Sequence, residues 1–69
     1  MVTNNNGPVS AKFSNTADIW NKVVVEGLQE EKFVAEEDAE TFIVEYGSRE
    51  DFNNAVFRFN GEIEYTELT

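Results

Sequence analysis

The sequence has no cysteine, no histidine, one proline, and only five cationic side chains against 14 acidic ones in 69 residues. Each shortage closes a route. Without cysteine there is no disulfide, and a chain of this length buries only about 60% of the surface its unfolded form exposes. Stability must therefore come from packed apolar side chains or from a partner. Without thiol or imidazole, the commonest nucleophile and base pairs and the Cys/His metal sites are missing. No catalytic residue, metal ligand or cofactor is expected, and the chain reads as a non-enzyme. No apolar run exceeds three residues, as in Val23-Val24-Val25, far short of the ~20 residues that span a bilayer. Met1 to Ser10 is polar, with Asn4-Asn5-Asn6 before Gly7-Pro8, and does not form a basic-then-apolar leader. The expected location is the cytoplasm, with no membrane attachment.

What is abundant is negative charge, −9 in total, and aromatic surface. The acids do not form a tail. Residues 18–40 carry eight acids and two lysines, residues 41–69 six acids and two arginines, and residues 1–17 only Lys12. Nine aromatics run through the same region: Phe13, Trp20, Phe33, Phe42, Tyr46, Phe52, Phe57, Phe59 and Tyr65. A disordered acidic segment would lack them. The pattern predicts a flexible arm over residues 1–12 and a single small acidic domain over 13–69.

Within that domain, Ala39, Phe42, Ile43 and Tyr46 recur at i, i+3, i+4 and i+7, which predicts an amphipathic helix over about 37–46. Glu36, Glu37, Asp38 and Glu40 would complement its dipole at the start, and Gly47 would stop it. Asn60-Gly61 predicts a hairpin in which Ala55, Phe57, Ile63 and Tyr65 form the apolar face and Arg58, Glu62 and Glu64 the polar one. A competing reading opens a helix at Ser48 and runs Phe52, Ala55, Val56 and Phe59 along one side up to Gly61. Residues 16–28 are ambiguous: Ala17, Trp20, Val24 and Leu28 suit a helix, whereas three consecutive valines suit a strand over Asn21 to Glu26, followed by another over Lys32 to Ala35. The resulting expectation is an α+β domain, one antiparallel sheet in β-β-α-β-β order with the 37–46 helix on one face. A small all-α three-helix domain is the alternative.

No phosphate-binding glycine loop is present, since the glycines at 7, 27, 47 and 61 stand alone. Glu36-Glu37-Asp38 lacks the alternating ligands and central glycine of a calcium loop. A carboxylate pair for glycoside chemistry needs a cleft that so small a domain has little volume to form. Lys12, Lys22, Lys32, Arg49 and Arg58 are isolated among acids, so direct binding of nucleic acid is disfavoured. The inverse is favoured: carboxylates on a rigid scaffold are steered toward a basic groove on a protein partner. The candidate contact acids are Glu37, Glu40 and Glu45 on the outer helix face, with Glu62 and Glu64 about 6.8 Å apart along a strand. The two sets would point to opposite sides of the domain. Trp20 and Phe59, like Phe52, find no clear place in the core and are candidate exposed contact aromatics.

Size, charge and the lack of catalytic residues resemble the small early products by which phages disable host enzymes, a likeness of type that rests on no motif. It implies an inhibitor or DNA mimic, a viral protein working in the host cytoplasm. The alternative is a small structural or assembly domain, such as a homodimer, whose acidity only provides solubility.

Overall fold

A computed structural model describes residues 7–68. The chain runs through β1 (Val9–Ser14), a short helix α1 (Ala17–Trp20) continued by a π-helical segment (Asn21–Val25), β2 (Lys32–Glu37), β3 (Thr41–Tyr46), α2 (Arg49–Phe59) and β4 (Tyr65–Glu67). The strands form one antiparallel sheet in the order β2-β3-β1-β4. The fold is α+β, as expected from the helix and strand patterns, and not all-α. The element order is β-α-β-β-α-β rather than β-β-α-β-β, with β1 and β3 at the centre in a split βαβ arrangement.

Three local expectations are corrected. Residues 37–46 form the end of β2, a turn and β3 rather than a helix. Phe42, Val44 and Tyr46 alternate buried against less buried neighbours, and Thr41 to Tyr46 is dominated by β-branched and aromatic residues that suit a pleated surface. The acids before it shape a turn instead of a helix start. The Asp38 carboxylate accepts N–H bonds from Glu40 at 2.9 Å and Thr41 at 2.8 Å, the short-range bonding that lets Asp reverse a chain.

The second correction concerns the C-terminal hairpin, which is replaced by α2 and the connection to β4. Ser48 caps the helix: its hydroxyl accepts from the Asp51 N–H at 3.1 Å and donates to the Asp51 carboxylate at 3.0 Å. A cap of this type is worth about 1 kcal/mol. Phe52, Ala55 and Phe59 then line the buried side. Asn60 ends the helix in the left-handed region (φ 55°) and Gly61 follows at φ 76°. Both Asn-Gly roles, hairpin turn and helix stop, need positive φ, so the dipeptide did not discriminate between them.

Third, the segment expected as a strand from Asn21 to Glu26 is helical over Asn21–Val25, with Glu26 as its C-cap. Thr16 caps α1 by accepting from the Ile19 N–H at 3.2 Å, and the valines lie in the π-helical segment with Val23 fully buried. The expected strand at Lys32 to Ala35 is present as the first part of β2. Of the residues 1–12 expected as an arm, 9–12 belong to β1, where Val9 and Ala11 are core residues. Residues 1–6 of that arm lie outside the described residues.

Pairing brings Val9 opposite Tyr46, Ala11 opposite Val44 and Phe13 opposite Phe42, all on one face. Val23 from the π-helical segment and Phe52, Ala55 and Phe59 from α2 complete the core on that same face. Phe13 is its centre, stacked on Phe42 at 5.4 Å and edge-on to Phe59 at 5.8 Å. Strand alternation sends Ser10, Lys12, Ile43, Glu45 and Phe33 to the other face, which no element covers among the described residues. In β2 the register shifts between Val34 and Glu36, leaving Ala35 unpaired as a bulge.

Candidate functional site: an acidic sheet end and an uncovered face

The turn between β2 and β3 gathers Glu36, Glu37, Asp38 and Glu40 at one end of the sheet. Asn15, just after β1, anchors this turn. Its backbone N–H donates to the Glu40 carbonyl at 2.9 Å, and its side-chain amide donates to the Asp38 carbonyl at 2.6 Å and the Glu37 carboxylate at 3.2 Å. Glu64 reaches the same end, because Tyr65 pairs with Phe13 and Ser14 with Thr41. Glu64, Ser14, Thr41, Lys12 and Thr66 share a polar hollow of about 210 Å³. The N–H bonds from Thr41 and Glu40 hold the Asp38 carboxyl below the usual carboxylate range, so this turn keeps its charge to lower pH than an ordinary aspartate. The associated stability is present above the ordinary Asp range and fades as pH falls through the lowered value.

The candidate residues are thus regrouped. Glu37, Glu40 and Glu64 come to one end instead of opposing faces. Glu62 lies in the α2–β4 connection, its N–H donating to the Phe59 carbonyl at 2.9 Å, so Glu62 and Glu64 do not form the expected strand pair. Glu45 is not on a helix but on the uncovered face of β3, directly opposite Phe33. Of the two candidate aromatics, Phe59 is 1% exposed and belongs to the core, a correction that follows from the helical phase of α2. Trp20 is half-buried and packs edge-on against Phe42 at 5.0 Å. The aromatics that do face solvent are Phe57, 88% exposed, Phe33, 59% exposed, and, to a lesser extent, Tyr65, 39% exposed. The helical reading of 48–61 would have turned Phe57 outward. The alternation of Phe33 with Val34 in a half-buried strand was the available signal for Phe33.

The cations of the other elements are engaged. Arg49 pairs with Glu67 at 2.5 Å, Lys22 with Glu26 at 3.8 Å and Arg58 with Glu30 at 2.8 Å, and Lys32 donates to the Gly27 carbonyl. Arg58 also donates to the Lys22 carbonyl at 2.5 Å, so one guanidinium ties α2 both to the π-helical segment and to the buried Glu30. Gly27 is needed here: a Cβ would lie 2.6 Å from Arg58 Nη2 and Glu30 Oε1 and 2.8 Å from the Val23 carbonyl oxygen.

Tyr46 is buried in the field of this pair, and its hydroxyl has no hydrogen-bond partner among the described residues. Burial, and then the Glu30 charge, push its pKa well above the usual tyrosine value, partly offset by Arg58. The unfolded chain therefore loses this proton first. Stability due to this group is fully present below pH ~10 and falls above it, by at most about 1.4 kcal/mol per pH unit. Tyr46→Phe is expected to remove that alkaline loss and to raise stability at neutral pH by about 1 kcal/mol, since an unsatisfied buried hydroxyl is lost. Urea unfolding at pH 7 and above pH 10 checks both; equal alkaline slopes in the two proteins would refute the assignment.

Among the described residues, no group of three acidic side chains is arranged to hold a metal ion, and no helix is long and apolar enough to cross a membrane. Comparison with known proteins finds no matching family, no matching curated protein and no matching solved structure.

Proposed function

We propose that this protein is a non-catalytic binding module that seats its acidic sheet end, with the adjoining uncovered face, in a basic groove of a protein partner. The observation that carries this reading is the gathering of Glu36, Glu37, Asp38, Glu40 and Glu64 at one end, while both arginines are held in ion pairs on other elements. A field polarised in this way steers association and selects for a positively charged surface. Grooves of that kind serve proteins that handle nucleic acid, where they neutralise phosphates. An occupant bearing carboxylates competes with DNA or RNA for the groove and so acts as an inhibitor of the phage-encoded type, working where its target is, in the host cytoplasm.

Affinity capture from the native lysate tests this. Captured protein is expected to elute with rising salt and with short duplex DNA, and to be lost from a variant carrying Glu36→Gln, Glu37→Gln, Glu40→Gln and Glu64→Gln. Capture that survives about 1 M salt, where the Debye length is ~3 Å, or that ignores both DNA and the substitutions, would overturn the proposal. Self-association is the second reading, supported by exposed Phe33 and Leu68; it predicts a melting temperature that rises with protein concentration.

A further inference from the structure

At the opposite end of the uncovered face from the acidic turn lies a second hollow, of about 250 Å³, lined by Pro8, Glu31, Lys32, Phe33, Glu45 and Tyr46-Gly47. We infer that this hollow receives an arginine side chain of the partner. The inference rests on the reading that the partner is basic, and names the group it would present here.

Size gives the first argument. Small-molecule sites run to ~300–1,000 Å³ and enclose their ligand, whereas this hollow is smaller and open, suited to one long side chain reaching in from a docked surface. Register gives the second. Phe33 and Glu45 are directly opposed on β2 and β3, which places their Cβ atoms about 5 Å apart. An aromatic face and a carboxylate thus stand side by side. On the other flank, Gly47 has no side chain, and the Glu31 carboxylate lies in the space that a Cβ there would take. The Gly47 N–H donates to the Glu31 carbonyl at 2.7 Å, fixing that chain crossing.

Charge gives the third argument. Neither Glu31 nor Glu45 has an ion-pair partner among the described residues, and the neighbouring Lys32 ammonium is turned to the Gly27 carbonyl. The lining is therefore net negative, the Glu31 and Glu45 carboxylates against the single Lys32 charge, around an apolar floor. A guanidinium fits this better than an ammonium: it is flat, weakly hydrated, stacks on an aromatic ring and directs several N–H donors in its plane. A phosphate would be repelled. A second copy of this chain is a poor donor, because it adds another −9 and its Arg49 and Arg58 are already paired.

The test is an NMR titration of the full chain at low salt with an arginine-rich peptide and with its lysine-for-arginine twin. The arginine peptide is expected to bind several-fold more tightly, shifting the amides of Phe33, Glu45 and Gly47. Phe33→Leu, which keeps an apolar residue on this exposed site, is expected to weaken it about two- to fivefold, and Glu45→Gln to weaken it further, with the lysine peptide little affected by Phe33→Leu. Equal affinities, with shifts confined to residues 36–40, would overturn the arginine site while leaving the basic-partner reading intact. No binding of either peptide would overturn both.

Discussion

Arg58→Ala is expected to lower the unfolding free energy by about 3–5 kcal/mol, because it strands the buried Glu30 carboxylate without its counter-charge. Glu30 is only 5% exposed at its side chain, and Arg58 is 26% exposed, so water entering the truncated site replaces the lost partner only in part. The substitution also strips the Lys22 carbonyl of its donor and releases α2 from the π-helical segment. For a domain of this size each kcal/mol is worth roughly 4–8 °C in Tm, so a drop of more than about 10 °C is expected in a thermal melt. The paired replacement Arg58→Met with Glu30→Leu should cost much less than the single one, since a buried ion pair exchanged for packed apolar groups is often neutral. If Arg58→Ala melted within about 2 °C of the parent, the pair would have no role in holding α2.

Phe13→Ala is expected to cost a similar amount, about 3–5 kcal/mol, the usual range for emptying a core phenylalanine site. Phe13 lies on the central strand and meets a ring from each of three other elements: Phe42 of β3, Phe59 of α2 and Tyr65 of β4. The surrounding rings are held by their own strands and helix, so the space cannot readily collapse. Phe57→Ala supplies the contrast: with 88% of its surface already exposed, it should change stability by no more than about 0.5 kcal/mol. Urea unfolding that showed comparable midpoints for the two variants would refute this placement of the core.

Aromatics interleaved with acids made a folded domain readable in the sequence, and the mixture of helical and strand patterns made the α+β class readable. Which segment took which form was not. Phe42, Ile43 and Tyr46 fit helical spacing, yet Phe42, Val44 and Tyr46 fit a strand equally well, and the sheet partners β1 and β2 decide between them. In 49–59 the same conflict resolved the other way, with the Ser48 cap outweighing the β-forming content. The helical phase then puts Phe59 inside and Phe57 outside, the reverse of the hairpin reading. The acids were legible as candidates one by one. Their grouping was not, because it depends on contacts between residues far apart, such as Asn15 with Asp38 and Arg58 with Glu30, which leave no local pattern.

The bulge at Ala35 bears on how this sheet meets other chains. A sheet grows by adding a strand to an open edge, through an uninterrupted row of backbone donors and acceptors. On the β2 edge, regular pairing runs only from Lys32 to Val34 before the shift, and the strand then resumes as Glu36-Glu37. The β4 edge is only Tyr65–Glu67. Neither border offers more than three regular residues, and each carries charge, so strand addition and fibril-like stacking are both blunted. In the proposed complex, contact would fall to the side chains of the uncovered face and of the turn, where charge and shape rather than backbone pairing set specificity.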